Sequence, residues 1–248
     1  RFPKGHLNIR YQRMFGMAFM YAAGNHIGIE WGSCSGMLSS SSVTSDENGR
    51  YISGNYFGWG VAHEIGHCIN QGCYAVPEIT NNYFAQLAQA KDTNVGMRFT
   101  YKNIYDKVTS RTLGSSSNLA TQLGMYWQLH AAYDEEYNYK TFDDRAEQLE
   151  SLFYARVDSY ARTPANAPAP DGIALTLSGG TDQCLMRLAC AAAEKDILEF
   201  FERWGKLPDS TTMQYASQFP KETRAVYYAD DDSRVYRMNN PYGGYLGT

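Results

Sequence analysis

Two histidines four residues apart, with a glutamate directly after the first, restrict the structure of this chain more than any other feature. They are His63 and His67, with Glu64 between them, in the segment HEIGH. In an α-helix, side chains at positions i and i+4 lie on one face, so both imidazoles point at the same place. Neutral imidazole nitrogens are common zinc ligands. The spacing therefore predicts a helix that presents two ligands to a single Zn²⁺ ion.

The glutamate next to the first histidine has the position of the general base in the H-E-x-x-H pattern. A zinc site with three protein ligands leaves a fourth position for water, whose pKa the metal lowers to about 7. Glu64 is placed to take a proton from that water and to deliver it later to a leaving amine. The pattern thus predicts hydrolysis of peptide bonds. The alternatives are a metal site without catalysis, and surface or packed histidines on an ordinary helix with Glu64 solvated.

The third ligand is either Glu78 or Cys73. In the metzincin pattern a glycine ends the helix and a third histidine follows, but this chain has Asn70 and Cys73 at those positions. A thiolate can bind zinc, yet its negative charge weakens the metal as a Lewis acid. In the gluzincin arrangement the ligand is a glutamate of the next helix. We predict that this helix starts at Pro77, with Glu78 in its first turn, and we expect Glu78 to be the ligand.

Asparagines that follow Glu78 predict a hydrogen bond that orients one imidazole. Asn82 lies four residues after Glu78, on the same face of the predicted helix. Its side-chain oxygen can accept from the second ring nitrogen of a ligating histidine and so determine the tautomer. Asn81 is the alternative residue for this contact.

Three further residues are candidates for binding a substrate. Trp59, four residues before the first histidine, stacks on a sugar ring or packs against the helix start. Arg111 contacts a carboxylate or a sugar, or it is a solvated loop residue. His130 lines a cleft together with Tyr126 and Tyr133, or all three pack in the core as one stripe of a helix. The sequence leaves each of these pairs of interpretations open.

The composition excludes several classes of protein. With 44% hydrophobic and 19% charged residues, 20 Tyr and 11 Phe, the chain is a folded domain and not a disordered segment. The net charge of -4, with scattered Lys and Arg, disfavours nucleic acid as a partner. No stretch approaches the roughly 18 apolar residues of a membrane helix. Five cysteines at irregular spacing do not indicate a disulfide framework. We expect a monomer that does not span a membrane.

The hydrophobic pattern predicts an α+β fold in one catalytic domain, residues 1–248. Short apolar runs separated by polar loops indicate a mixed or antiparallel sheet, which together with the zinc-binding helices forms a lobe at 1–90. Helical periodicity follows in a lobe at 91–208, and a C-terminal hairpin and tail occupies 209–248. The more detailed predictions are helices at 119–137 and 143–162, a proline-rich loop at 163–172, a hairpin at 224–238 and an acidic turn within it at 229–233.

The segment WGVAHEIGHCINQ, followed by EITNNYFAQLA, resembles the enhancin and enhancin-like zinc metallopeptidases. Their motif is HExGH, then a variable gap, then a glutamate in an E-[VI]-T-N-N context. Gly66 occupies the additional glycine position of that motif. The segments FMYAAGNHIGI and AAAEKDILEFFERWG also resemble parts of the family, so the similarity spans most of residues 6–207.

This resemblance implies a gluzincin-like catalytic fold with one catalytic zinc ion. It implies that His63, His67 and Glu78 are the ligands and that Glu64 is the catalytic base. It also implies a protein or glycoprotein substrate, often with mucin-type O-glycans, and a secreted or cell-surface location. A zinc peptidase without a glycan requirement, and a non-catalytic module that binds glycan or protein and retains the zinc, are the alternatives.

Overall fold

The computed structural model describes residues 7–14, 19–33, 43–45, 51–53, 56–91, 104, 119–134, 152–224 and 226. The chain divides into two compact units. The first comprises Arg1–Asn70 and Pro77–Arg98, and the second comprises Gln71–Val76 and Phe99–Thr248. None of the helices in the described ranges is long and apolar enough to cross a bilayer. The organisation as one catalytic domain with three regions stays a prediction.

A three-stranded mixed sheet carries the core of the first unit. Its strands are β1 (Asn8–Gln12), β2 (Met20–Ala23) and β3 (His26–Glu30), and β3 lies between the other two, parallel to β1 and antiparallel to β2. Because side chains alternate along a strand, Ile27 and Ile29 share one face, where both are buried with Val61. A second, antiparallel pair consists of β4 (Val43–Ser45) and β5 (Tyr51–Ser53). The strands lie in the region where the sequence predicts a sheet.

Two helices follow the strands in the first unit. A π-helical turn at Tyr56–Val61 leads directly into α1 (Ala62–Ile69), and α2 is Thr80–Lys91. Ile65 of α1 packs against the apolar face of the sheet. This contact anchors α1 on the core and leaves its other face for polar side chains.

The start of α2 differs from the prediction. The sequence pattern places the first helical residue at Pro77, whereas the helix begins three residues later, at Thr80. Glu78 has a φ of 66°, which lies in the left-handed region and cannot belong to a right-handed helix. The prediction that Glu78 lies in the first turn of the helix is therefore wrong. It lies in the turn that precedes α2.

The second unit is helical over most of its described residues, as the sequence predicts. Its helices are α3 (Leu119–Tyr133), α4 (Phe153–Arg162), α5 (Thr181–Ala193), α6 (Leu198–Arg203) and α7 (Ser210–Ala216). After α4 the proline-rich segment forms a short 3-10 turn, Pro164–Asn166, because proline cannot continue an α-helix. The predicted hairpin at 224–238 and its acidic turn lie outside the described residues, apart from residues 224 and 226.

A polar pair inside the second unit joins the segment Gln71–Val76 to α4. The hydroxyl of Tyr74 donates to Asp158 Oδ1 over 2.5 Å. Burial raises the pKa of the Asp158 carboxyl, while the hydrogen bond from Tyr74 and the charge of Arg162 oppose this rise. Burial also raises the pKa of Tyr74 well above its usual value, so the phenol remains a donor. The fold therefore holds a carboxylate at a place that disfavours its charge.

Asp158→Asn tests the cost of this buried charge. Because the pKa of Asp158 is higher in the folded chain than in the unfolded chain, stability falls as pH rises through the window between the two values. Asparagine keeps an acceptor for Tyr74 and carries no charge. We expect the variant to have a higher urea midpoint than the parent protein at pH 7 and a flatter pH dependence above about pH 4.

The matched control is Asp171→Asn, which removes a charge from an exposed position of the same unit. It should leave the urea midpoint unchanged at both ends of the pH range. A lower midpoint for Asp158→Asn at pH 7 would show that the hydrogen bond from Tyr74 outweighs the burial of the charge.

Candidate metal site

Helix α1 brings two imidazoles together. The ring centroids of His63 and His67 are 4.9 Å apart, with the ring planes at 85°. Their side chains are 16% and 26% exposed, so both are shielded without being closed off from solvent. Ile65, between them in sequence, points to the opposite side and packs on the sheet. The helical spacing and the apolar anchor together turn the two rings away from the core.

The carboxylate of Glu78 faces both rings. Its Oε2 lies 3.3 Å from His63 Nε2, and its Oε1 lies 3.0 Å from His67 Nε2. The φ of 66° costs a residue other than glycine about 1–3 kcal/mol, and such a conformation persists only where the surroundings hold it. The turn before α2 thus brings a third ligand-type side chain to the same two nitrogens.

A second carboxyl group, that of Glu64, lies on the buried side of this cluster. The residue is 6% exposed. Ligand-type atoms of His63, Glu64 and His67 all lie within 4.8 Å of one another. Burial raises the pKa of Glu64, the charge of His63 opposes the rise, and the charge of Glu78 adds to it. Because Glu78 reaches both Nε2 atoms with its two oxygens, it has the better geometry for a ligand, and Glu64 has the better environment for a proton acceptor.

The chemistry of these groups fits a zinc ion. Burial and the neighbouring His63 lower the pKa of His67, against the opposing effect of Glu78, and this favours the neutral ring. A neutral imidazole keeps the lone pair that a metal requires, and two histidines with one glutamate are an established donor set for zinc. The group of ligand-type atoms that His63, Glu64 and His67 form among the described residues includes no cysteine. Cys73, the alternative third ligand, belongs to the second unit.

Two asparagines of α2 contact the imidazoles from different sides. Asn82 Oδ1 lies 2.5 Å from His63 Nδ1. Asn81 Nδ2 lies 3.0 Å from His67 Nε2, and 3.2 and 3.1 Å from the two ring nitrogens of His63. If Asn81 Nδ2 lay in the plane of the His63 ring at these last two distances, it would overlap the ring carbon between the two nitrogens. The Asn81 amide therefore lies over the face of the His63 ring. Of the two asparagines, Asn82 therefore has the contact with Nδ1 that orienting an imidazole needs.

Helices α1 and α2 approach each other closely at Gly66. A Cβ atom at this position would lie 2.6 Å from Asn81 Cβ, 2.7 Å from Asn81 Cα and 3.0 Å from its carbonyl oxygen. The obstacle is mainly the backbone of α2, which cannot rotate away as a side chain can. Sequence patterns identify Gly66 only through the family motif. The physical signal is a glycine inside a helix, which costs about 1 kcal/mol relative to alanine and often marks a close approach.

The remaining candidates for substrate binding have different locations. Trp59 is half-buried in the π-helical turn that precedes α1. Arg111 lies outside the described residues. His130, in the second unit, is 1% exposed; its Nδ1 lies 2.7 Å from Asp134 Oδ2, and its ring packs at 4.9 Å from that of Trp127. This geometry corresponds to the core-packing alternative for His130 and leaves the ring without access to a substrate.

The sequence profile of the family described as Peptidase M60, enhancin and enhancin-like, matches residues 16–205. The match covers most of the chain, which therefore belongs to this family. The resemblance inferred from the HEIGH and EITNN segments is confirmed. A comparison with curated protein sequences gives no match.

Solved structures of similar fold include the ZmpB metallopeptidase from Clostridium perfringens, which is 23% identical with a TM-score of 0.56 over 90% of this chain and 39% of that one. The M60 catalytic domain of Clostridium perfringens ZmpC, in complex with the sialyl T antigen, is 22% identical with a TM-score of 0.54 over 90% and 39%. A functionally unknown conserved protein from Bacillus anthracis is 18% identical with a TM-score of 0.61 over 90% and 42%. These similarities confirm the predicted α+β fold of a metallopeptidase catalytic domain. The chain spans 39% of the length of the first of these structures.

Gly66→Ala tests whether the close approach of the two helices holds the metal-binding side chains in place. The added methyl group overlaps the backbone of Asn81, so α2 has to move, together with Glu78 in the turn before it. We expect zinc affinity, measured by competition with a chromophoric chelator, to fall at least about tenfold, as it does when groups that orient ligands are disturbed. Overpacking should also lower the free energy of unfolding by about 1–3 kcal/mol.

Gly72→Ala is the matched control, because a Cβ atom at Gly72 would meet nothing within 4 Å. This variant should change neither the zinc affinity nor the free energy of unfolding. Zinc binding by Gly66→Ala with the affinity of the parent protein would mean that the separation of the helices does not position the ligands.

Proposed function

We propose that this chain is a zinc-dependent endopeptidase that hydrolyses peptide bonds with Glu64 as general base and acid. The observation that carries the proposal is the meeting of His63 Nε2, His67 Nε2 and the Glu78 carboxylate, with contacts of 3.3 and 3.0 Å. Membership of a peptidase family supports it. The chain spans only part of the length of its structural neighbours. The activity of the whole protein is therefore also proposed.

His63, His67 and Glu78 would hold the metal. Two imidazoles and one carboxylate make three protein ligands, the number that distinguishes catalytic from structural zinc sites. Zinc held there would supply Lewis acidity for activating a water molecule and for polarising a substrate carbonyl. The protein contributes the direction of the two Nε2 atoms, and burial lowers the pKa of His67.

Glu64 would move the proton. Its carboxylate takes a proton from the attacking water onto an oxygen and later delivers it to the nitrogen of the leaving amine. Burial, reinforced by the charge of Glu78, raises the pKa of Glu64. The raised pKa makes the carboxylate a stronger base than that of an exposed glutamate. One side chain therefore serves both proton transfers.

We propose O-glycosylated, mucin-like proteins as the substrate class. Two observations support this: the resemblance of the site segments to the enhancin-like family, and the presence of the sialyl T antigen in the structure of the ZmpC catalytic domain. Trp59, one turn before His63, is the proposed stacking partner of a sugar ring, and Arg111 is the proposed contact for a carboxylate or sugar. We further propose that the protein is a secreted or cell-surface monomer that binds no nucleic acid.

Glu64→Gln tests the mechanism. Glutamine occupies the same space but cannot accept the proton, so we expect kcat to fall by a factor of about 100 or more, while zinc affinity stays within a few-fold of the parent protein. The assay is mass spectrometry of casein and of a defined O-glycopeptide after incubation with zinc-loaded protein. Glu202→Gln makes the same change at an exposed position and should leave hydrolysis unchanged.

The same assay separates the proposed function from its alternatives. Cleavage of the glycopeptide alone supports the O-glycopeptidase, and cleavage of both substrates supports a zinc peptidase without a glycan requirement. Binding of the glycopeptide without cleavage would identify a non-catalytic module and overturn the enzymatic proposal. Hydrolysis by Glu64→Gln at the rate of the parent protein would refute the role of Glu64.

A further inference from the structure

Asn82 contacts both segments that carry the proposed ligands. Its Oδ1 lies 2.5 Å from His63 Nδ1 on α1. Its Nδ2 donates to the main-chain carbonyl of Glu78, in the turn before α2. One planar amide therefore connects the first histidine to the backbone of the glutamate.

The two contacts together determine the tautomer of His63. A carbonyl oxygen can only accept, so the end of the amide that meets Glu78 has to be the NH₂ group. The oxygen end of Asn82 then faces His63 and can likewise only accept. His63 Nδ1 therefore carries the proton, and Nε2 keeps its lone pair. This is the tautomer that leaves Nε2 free to bind a metal on the side of Glu78.

The same amide bears on the conformation of Glu78. A φ of 66° is uncommon for glutamate and requires support from neighbouring groups. The hydrogen bond from Asn82 Nδ2 provides such support at the carbonyl of that residue. Because the backbone conformation sets the direction of the side chain, this bond also bears on the contacts of the carboxylate with the two Nε2 atoms.

We propose that Asn82 is a positioning residue that couples two zinc ligands: its oxygen sets the tautomer of His63, and its NH₂ group holds the turn that directs Glu78. The inference rests on the proposed zinc site but does not require catalysis. This proposal differs in one testable respect from a role in which Asn82 only orients the imidazole of His63. For that simpler role a hydrogen-bond acceptor at position 82 is enough, whereas the coupling of two ligands also needs a hydrogen-bond donor there.

Asn82→Asp isolates the donor. The aspartate keeps an acceptor for His63 Nδ1 but places a carboxylate, without a hydrogen to donate, against the carbonyl of Glu78. Zinc dissociation constants are measured by chelator competition at pH 8. We expect Asn82→Asp to bind zinc about 10- to 100-fold more weakly than the parent protein.

A double-mutant cycle with Glu78→Ala shows whether this loss acts through Glu78. Without the carboxylate, the direction of the turn no longer matters, so Asn82→Asp should change zinc affinity less than about twofold in that background. Asn166→Asp adds the same charge at an exposed position and should leave the affinity unchanged. Circular dichroism confirms that each variant is folded.

Asn82→Ala supplies a second cycle if Asn82→Asp fails to fold. It removes both contacts, so its loss of affinity should be smaller in the Glu78→Ala background than in the parent protein. Equal losses in the two backgrounds, or an Asn82→Asp variant that binds zinc as tightly as the parent protein, would overturn the inference and leave the proposed function standing. A parent protein that binds no zinc would overturn both, whereas one that binds zinc without hydrolysing peptides would overturn the proposed function alone.

Discussion

The close packing of α1 on α2 at Gly66 is the constraint on which the rest of the site depends. A side chain as small as a methyl group would overlap the backbone of Asn81. At this separation, histidines on one helix and the residues at the start of the next meet within hydrogen-bond distance. The contact of Ile65 with the sheet supports the arrangement from the other side of α1. A glycine that carries no functional group thus determines where several functional groups lie.

Two carboxyl groups next to the same imidazoles differ in their surroundings. Glu64 is buried in α1, and burial raises its pKa. Glu78 is about half exposed, in the turn before α2, and its oxygens face the two Nε2 atoms. Carboxyl groups in such different environments can take different roles at one pH. The proposed division into base and ligand follows from these environments.

The parts of this site that follow from local geometry could be predicted from the sequence. The spacing of His63 and His67 is sufficient, because a helix fixes the relation between positions i and i+4. The conformation of Glu78 could not be predicted, because the pattern of residue types does not show the positive φ or the hydrogen bond that its carbonyl accepts from Asn82. The rule that placed the helix start at Pro77 fails for a related reason, since the φ of proline suits a turn as well as a first helical residue. Strands and helices with a clear hydrophobic period could be predicted from the sequence, whereas contacts between these elements could not.

X-ray absorption spectroscopy of the zinc-loaded protein tests the ligand set most directly. Nitrogen and oxygen ligands lie about 2.0–2.2 Å from zinc, and a thiolate sulfur lies at about 2.3 Å, so the spectrum separates a glutamate from a cysteine as third ligand. We expect a first shell of nitrogen and oxygen with two imidazoles, and loss of one oxygen in Glu78→Ala. A sulfur in the first shell that disappears in Cys73→Ser would contradict the account.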